Sequence, residues 1–164
     1  MSYDLVVFSP TPDLRDRGKF IAWYESRTNW QEGLDYNDPS NASLALQAWF
    51  REMISTFPSL NGPLRVAPDD IVGGEWAADY AICTDIIYVA FPSGKGGIAY
   101  ETSRRLAAKY GVGFFDASGG GEAWYPTDEG TLEVVHRGDG GDRSEAVIER
   151  LLGQLQRAAS RHKK

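Results

Sequence analysis

Residues 79–91 read Asp79-Tyr80-Ala81-Ile82-Cys83-Thr84-Asp85-Ile86-Ile87-Tyr88-Val89-Ala90-Phe91. Two runs of strand formers, 79–83 and 86–91, flank Thr84-Asp85, which is the pattern of an antiparallel hairpin with a short turn. Helical periodicity precedes and follows this hairpin. Upstream, Ala45, Trp49, Met53 and Phe57 form one row at spacing four and Leu46, Phe50 and Ile54 form the adjacent row, predicting a helix over 43–57. Its apolar face is wider than a surface helix needs, so it lies in the core or under another chain. Downstream, Pro92-Ser93-Gly94 ends the hairpin and a helix runs to Tyr110. Ile98, Thr102, Leu106 and Tyr110 are expected on its inner face, with Ala99 and Ser103 allowing close approach to the sheet. Gly111 suits the left-handed residue after the helix, and Val112 its apolar follower.

Further out, Tyr3-Asp4-Leu5-Val6-Val7-Phe8 predicts a strand stopped by Ser9-Pro10-Thr11-Pro12. Asp13 is the expected N-cap of a helix over about 14–29, suggested by the spacing of Phe20, Trp23, Tyr24 and Trp30. Residues 61–78 are turn-rich, with Asn61-Gly62-Pro63, Pro68-Asp69-Asp70 and Gly73-Gly74, and read as a long loop of the kind that is usually functional or mobile. Residues 113–117, 122–125 and 131–136 predict three more strands. Asp142 and Glu145 open a last helix over 142–164, whose apolar stripe runs through Leu151, Leu155 and Ala158.

The order is β-α-α-β-β-α-β-β-β-α, with βαββαβ at its centre. That pattern predicts an α+β domain spanning 1–164, with a ferredoxin-like antiparallel sheet. Helices are expected on one sheet face, with an extra helix after the first strand and a C-terminal helix. The other face would then be solvated, covered by the long loop, or buried by a partner.

Composition narrows the function classes. The chain has 164 residues, net charge −6, one Cys and two His. A single Cys excludes an internal disulfide and a cysteine-cluster metal site. Residues 1–141 hold 20 Asp/Glu and 11 Lys/Arg, net −9, whereas 142–164 hold 3 and 6, net +3. An acidic body argues against nucleic acid as a partner. The basic end suits a helix C-terminus more simply than it suits a nucleic-acid arm. No apolar run is long enough for a membrane span, and the first residues lack a secretion signal, so a cytoplasmic location is expected.

No catalytic constellation emerges. Ser93-Gly94-Lys95-Gly96-Gly97 lacks the first glycine of a phosphate loop and the Ser or Thr after the lysine. Gly111-Val112-Gly113 ends a helix and opens a strand, the reverse of a dinucleotide fingerprint. Cys83 lies in an apolar strand, and neither His136 nor His162 comes with a third triad member. Counting from Asp69, the twelfth position of a calcium loop would be Tyr80, which is no ligand. A glycosidase-type carboxylate pair stays open, because its members need not be near in sequence. No metal and no cofactor is expected. What the pattern offers is binding: Trp76 among Asp69, Asp70, Glu75 and Asp79, and Trp124-Tyr125 with Asp128 and Glu129. These mix aromatic anchors with acids that steer basic partners. The plainer reading is that both tryptophans plug the core.

The opening Ser2-Tyr3-Asp4-Leu5-Val6-Val7-Phe8, with Phe20-Ile21-Ala22-Trp23-Tyr24, Tyr100-Glu101-Thr102 and Gly111-Val112-Gly113-Phe114-Phe115-Asp116, resembles small bacterial cytosolic proteins. These in turn resemble immunity proteins of polymorphic or contact-delivered toxin systems. The likeness covers residues 2–118, weakens after Ser118 and carries no known active site. It implies a non-enzymatic protein that neutralises a cognate toxin protein, with no nucleic acid or membrane partner, as a monomer or homodimer. The acidic body favours a basic toxin. The alternative is a small-molecule-binding domain or small enzyme, with its ligand between the sheet and the 61–78 loop. A homodimer through the Trp49/Phe50 face is a third expectation.

Overall fold

The computed structural model describes residues 1–138. The expected C-terminal helix and basic tail at 142–164, with His162, lie outside the described residues. The described chain is α+β, with four α-helices and six antiparallel strands in the spatial order β2 (Asp79–Ile82), β3 (Ile86–Pro92), β1 (Ser2–Phe8), β4 (Gly113–Phe115), β5 (Ala123–Pro126) and β6 (Leu132–His136). No helix among the described residues is long and apolar enough to cross a membrane.

β1 (Ser2–Phe8) is central, between β3 (Ile86–Pro92) and β4 (Gly113–Phe115). Every residue from Asp4 to Phe8 is buried, so both faces of this strand are covered. The expectation of helices on one face is therefore corrected. Leu5 and Val7 pack with α2 (Leu44–Met53) and α4 (Gly96–Tyr110) on one face. Val6 and Phe8 pack with Phe20 and Tyr24 of α1 (Arg17–Arg27) on the other. The run Leu5–Phe8 is apolar without alternation, which only a doubly covered strand satisfies. Burying each such side chain stabilises the fold by about 1.5–3 kcal/mol.

The prolines that stop β1 also send the chain to that second face. Pro12–Arg15 form a 3-10 turn before α1. Asp13 is consumed in this turn and is not the cap. Asp16 is, accepting from the Lys19 amide at 2.9 Å.

α2 starts at its Ser43 cap and ends at Met53, four residues short of the expected end. Leu46, Trp49, Phe50 and Met53 are buried within the chain. Trp49 donates its indole N–H to the Ser103 carbonyl of α4 at 3.2 Å. The broad face is thus core, and a homodimer through Trp49 and Phe50 is overturned.

α4 meets the sheet and α2 through Ala99, Ser103, Leu106 and Ala107. Ile98, expected inside, is 48% exposed, because the helix turns its stripe of small residues inward to approach closely. Thr102 and Tyr110 are only partly buried. Gly111 is left-handed at φ 66°, and the Val112 amide reaches back to the Ala107 carbonyl at 3.0 Å, closing the helix as expected.

The central hairpin pairs β2 (Asp79–Ile82) with β3, Asp79 opposite Ala90 and Ile82 opposite Ile87. The Cys83 amide bonds the Ile86 carbonyl at 2.9 Å across Thr84-Asp85. β5 (Ala123–Pro126) and β6 (Leu132–His136) extend the sheet beyond β4.

Candidate functional site

The segment expected to be one long loop contains a short helix, α3 (Ile71–Trp76). Asp70 caps it, accepting from the Gly73 amide at 2.8 Å. The segment is also pinned at its ends. Ser59 bridges in parallel to both Arg65 and Ala78, and the Leu60 amide donates to the Ala78 carbonyl at 2.9 Å. Asn61 donates to Asp79 at 2.9 Å.

This frame holds apolar side chains outward. Ile71 is 79% and Val72 70% exposed, and Leu60 and Leu64 are about half exposed. Asp69, Asp70 and Glu75 stand exposed among them. Trp76 turns the other way. Its ring packs on Phe57 at 5.6 Å, with the Lys95 ammonium 4.1 Å above it. Lys95 thus has the Trp76 indole face as a partner. Trp76 is partly buried and packs against the core. The apolar signal that sequence reasoning missed is Leu60, Leu64, Ile71 and Val72, which lie in a segment without periodicity.

The second group is split by the sheet. Trp124 shares a face with Phe114 and α4, whereas Tyr125 points to the α1 face. Tyr125 is buried, donates to the Thr11 carbonyl at 2.8 Å and carries Arg15 over its ring at 4.8 Å, so it offers a partner nothing. Asp128 and Glu129 are exposed on the β5–β6 turn. Strands β3, β1 and β4 separate β2 from β5. At about 4.8 Å per strand step the two groups lie about 19 Å apart. They form two surfaces, and only the first joins acids to exposed apolar side chains.

Two buried acids escaped the sequence reading. Asp4 is 2% exposed; its Oδ2 accepts from the Tyr88 hydroxyl at 2.7 Å, and its Oδ1 has no hydrogen bond of good geometry among the described residues. Burial raises its pKa, with the Ser2 and Tyr88 hydroxyls pulling down. Asp116 is raised by burial too, against the Gly119 and Gly120 amides and the Tyr3 hydroxyl. Tyr3 in turn is pushed up to about 12, first by burial and then by Asp116.

These groups tie β1 to the turn after β4. The Asp4 amide donates to Ser118 Oγ at 2.7 Å, the Ser118 amide to the Asp4 carbonyl at 3.1 Å, and Tyr3 to Asp116 at 3.2 Å. Asp79 lies two strands from Asp4 on the same face, with Ala90 between them. Asp4 has too little surface for a substrate to use such a pair. The available signal was an acid inside an apolar strand, in register with Val6 and Phe8.

The remaining reactive side chains are buried or half-buried. His136 is buried with Nε2 2.7 Å from the Leu14 carbonyl. The Cys83 thiol is pushed up to about 11 by burial and by Asp85, against Arg27, the wrong direction for a nucleophile. Among the described residues no group of three or more His, Cys, Asp or Glu is placed to hold a metal ion. No family model, no curated protein and no solved structure matches the chain.

Proposed function

We propose that the protein is a non-enzymatic binding protein that acts in the cytoplasm as an immunity protein, blocking a basic cognate toxin by direct contact. The observation that carries this reading is the surface formed by Leu60, Leu64, Ile71 and Val72 with Asp69, Asp70 and Glu75 interspersed. Exposed apolar side chains gathered in one segment mark interaction surfaces. A ring of acids adds steering and selectivity for a cationic partner. The pinned backbone of residues 59–79 supports the reading as well, since a preordered surface loses little entropy on binding. Trp76, Tyr125 and the sheet interior belong to the scaffold.

The same proposal includes a ferredoxin-like core. The antiparallel order β2-β3-β1-β4, with α2 and α4 on one face, supports a split βαβ unit. In that reading α1 is an addition on the reverse face, and β5 and β6 are an extension.

The test is co-expression with the toxin domain encoded beside the gene, read as complex formation and as survival of the host cell. The wild type is expected to bind and protect. Ile71→Asp with Val72→Asp is expected to weaken the complex about 100-fold or more, as for the loss of a central apolar anchor. Protection by the wild type that the double variant retains in full would remove this surface from the interface. Absence of both binding and protection by the wild type would overturn the immunity reading.

A further inference from the structure

We infer that the groove between α4 and the β5–β6 turn binds a small organic molecule carrying a carboxylate or phosphate group. The groove is open to solvent and has a volume of about 520 Å³, comparable with small-ligand clefts. One wall is a stripe of α4. Glu101, Arg104, Arg105 and Ala108 recur at steps of three, four and seven, which aligns them along the helix. The facing wall is Thr131 and Leu132.

The two arginines differ in their commitments. Arg104 reaches Glu101 at 3.4 Å and lies over the Trp124 and Tyr100 rings at 5.7 and 5.9 Å. These contacts fix its direction. Arg105 is exposed and has no hydrogen-bonded acceptor among the described residues. The carboxylate that feels its charge, Glu52, is already held by Lys109 and Tyr110. A guanidinium with its planar fork unused is the side chain best matched to a carboxylate or phosphate oxygen pair.

A second observation points to the same place. Trp124 lies opposite Val134, and its neighbour Pro126 opposite Leu132, so Trp124 and the groove wall share a sheet face. The Trp124 indole nitrogen is buried without an acceptor among the described residues, and Arg104 of the groove wall lies over that same ring. Leu132 and Ala108 leave apolar surface for the hydrocarbon part of the ligand. The long-range field of the body, net −9 over residues 1–141, opposes anions. Binding here must therefore come from the local Arg105 guanidinium, with Arg104 beside it already paired to Glu101. The inference is independent of the toxin-binding reading, which uses the segment beside β2 at the other edge of the sheet.

The test is titration of the full chain, at constant ionic strength, with inorganic phosphate, butyl phosphate, butyrate and the neutral butyramide. Amide and indole NMR signals are followed. Saturable shifts at the Trp124 indole and at the Gly130–Leu132 amides are expected with an anion and not with butyramide. Tighter binding of butyl phosphate assigns a phosphate ligand, and tighter binding of butyrate a carboxylate. Arg105→Gln, at an exposed site, is expected to leave the melting temperature unchanged and raise the Kd about tenfold or more, the scale of a lost charged hydrogen bond. No saturable shift with any anion, equal shifts with butyramide, or an unchanged Kd in Arg105→Gln would each overturn the inference.

Discussion

Tyr88 donates its hydroxyl to Asp4 across 2.7 Å inside the sheet, on the face covered by α1. Burial keeps the Asp4 carboxyl above the ordinary carboxylate range. The folded chain therefore holds a proton that the unfolded chain has already released. This group's contribution is full below the unfolded pKa and is lost as pH rises through the raised folded value. Asp4→Asn cannot titrate. Relative to that variant, the wild type should lose stability as pH rises above about 4, the unfolded value. The loss amounts to roughly 1.4 kcal/mol for every tenfold difference in proton affinity between the folded and unfolded carboxyl. Asp116 is raised in the same direction but is present in both proteins and cancels. Urea unfolding of both proteins over a series of rising pH values checks this, and a pH-independent difference contradicts it.

Gly113 and Phe8 are directly opposed across β1 and β4. A Cβ on Gly113 would overlap the Phe8 ring, which is itself wedged against Phe20, Trp23 and Tyr125. The ring has nowhere to move, so Gly113→Ala should destabilise by about 1–3 kcal/mol, the usual penalty for overpacking. Gly97→Ala, where a Cβ meets open space on α4, should be neutral or slightly stabilising. Thermal unfolding of the two variants compares them directly.

The hairpin at 79–91, the helix rows of α2 and the glycine end of α4 were legible because each is set by neighbours in sequence. The side of the sheet taken by α1 was not. Phe20, Trp23 and Tyr24 announce a buried stripe but not which sheet face receives it. The doubly apolar run Leu5–Phe8 carried that information and was read only as a strand. α4 was placed by its larger residues, whereas Trp49 of another helix selects the small stripe Ala99/Ser103. For the candidate site, acid and aromatic residues were visible by type. Whether they point outward depends on tertiary contacts: Phe57 draws Trp76 in, and the Asp70 cap turns Ile71 and Val72 out.

That division separates two kinds of variant. Trp76→Ala removes a ring packed on Phe57 and frees Lys95, and should cost about 3 kcal/mol, the low end for a large core truncation. Ile71→Ala and Val72→Ala remove surface groups and should change stability by less than about 0.5 kcal/mol. Denaturant unfolding should rank them in that order. A neutral Trp76→Ala would mean that the indole is not part of the core.

Cys83 closes the turn of the central hairpin half-buried, beside Asp85, and Asp85 is itself held by Arg27 at 2.9 Å and by the Trp23 indole at 3.1 Å. Burial first, then Asp85, pushes the thiol up to about 11. At about pH 8 its thiolate fraction is then about two orders of magnitude below that of an ordinary cysteine, and alkylation should slow in proportion. The rate should keep climbing with pH well past about 9, where a free thiol levels off. Asp85→Asn removes the negative neighbour and leaves Arg27 to favour the thiolate. It should therefore shift the rate profile to lower pH without abolishing the burial effect. Iodoacetamide modification followed by mass spectrometry across that range measures both profiles. A wild-type profile that levels off near about 8.5, like a free cysteine, would show that the thiol is solvated and that the hairpin end opens readily.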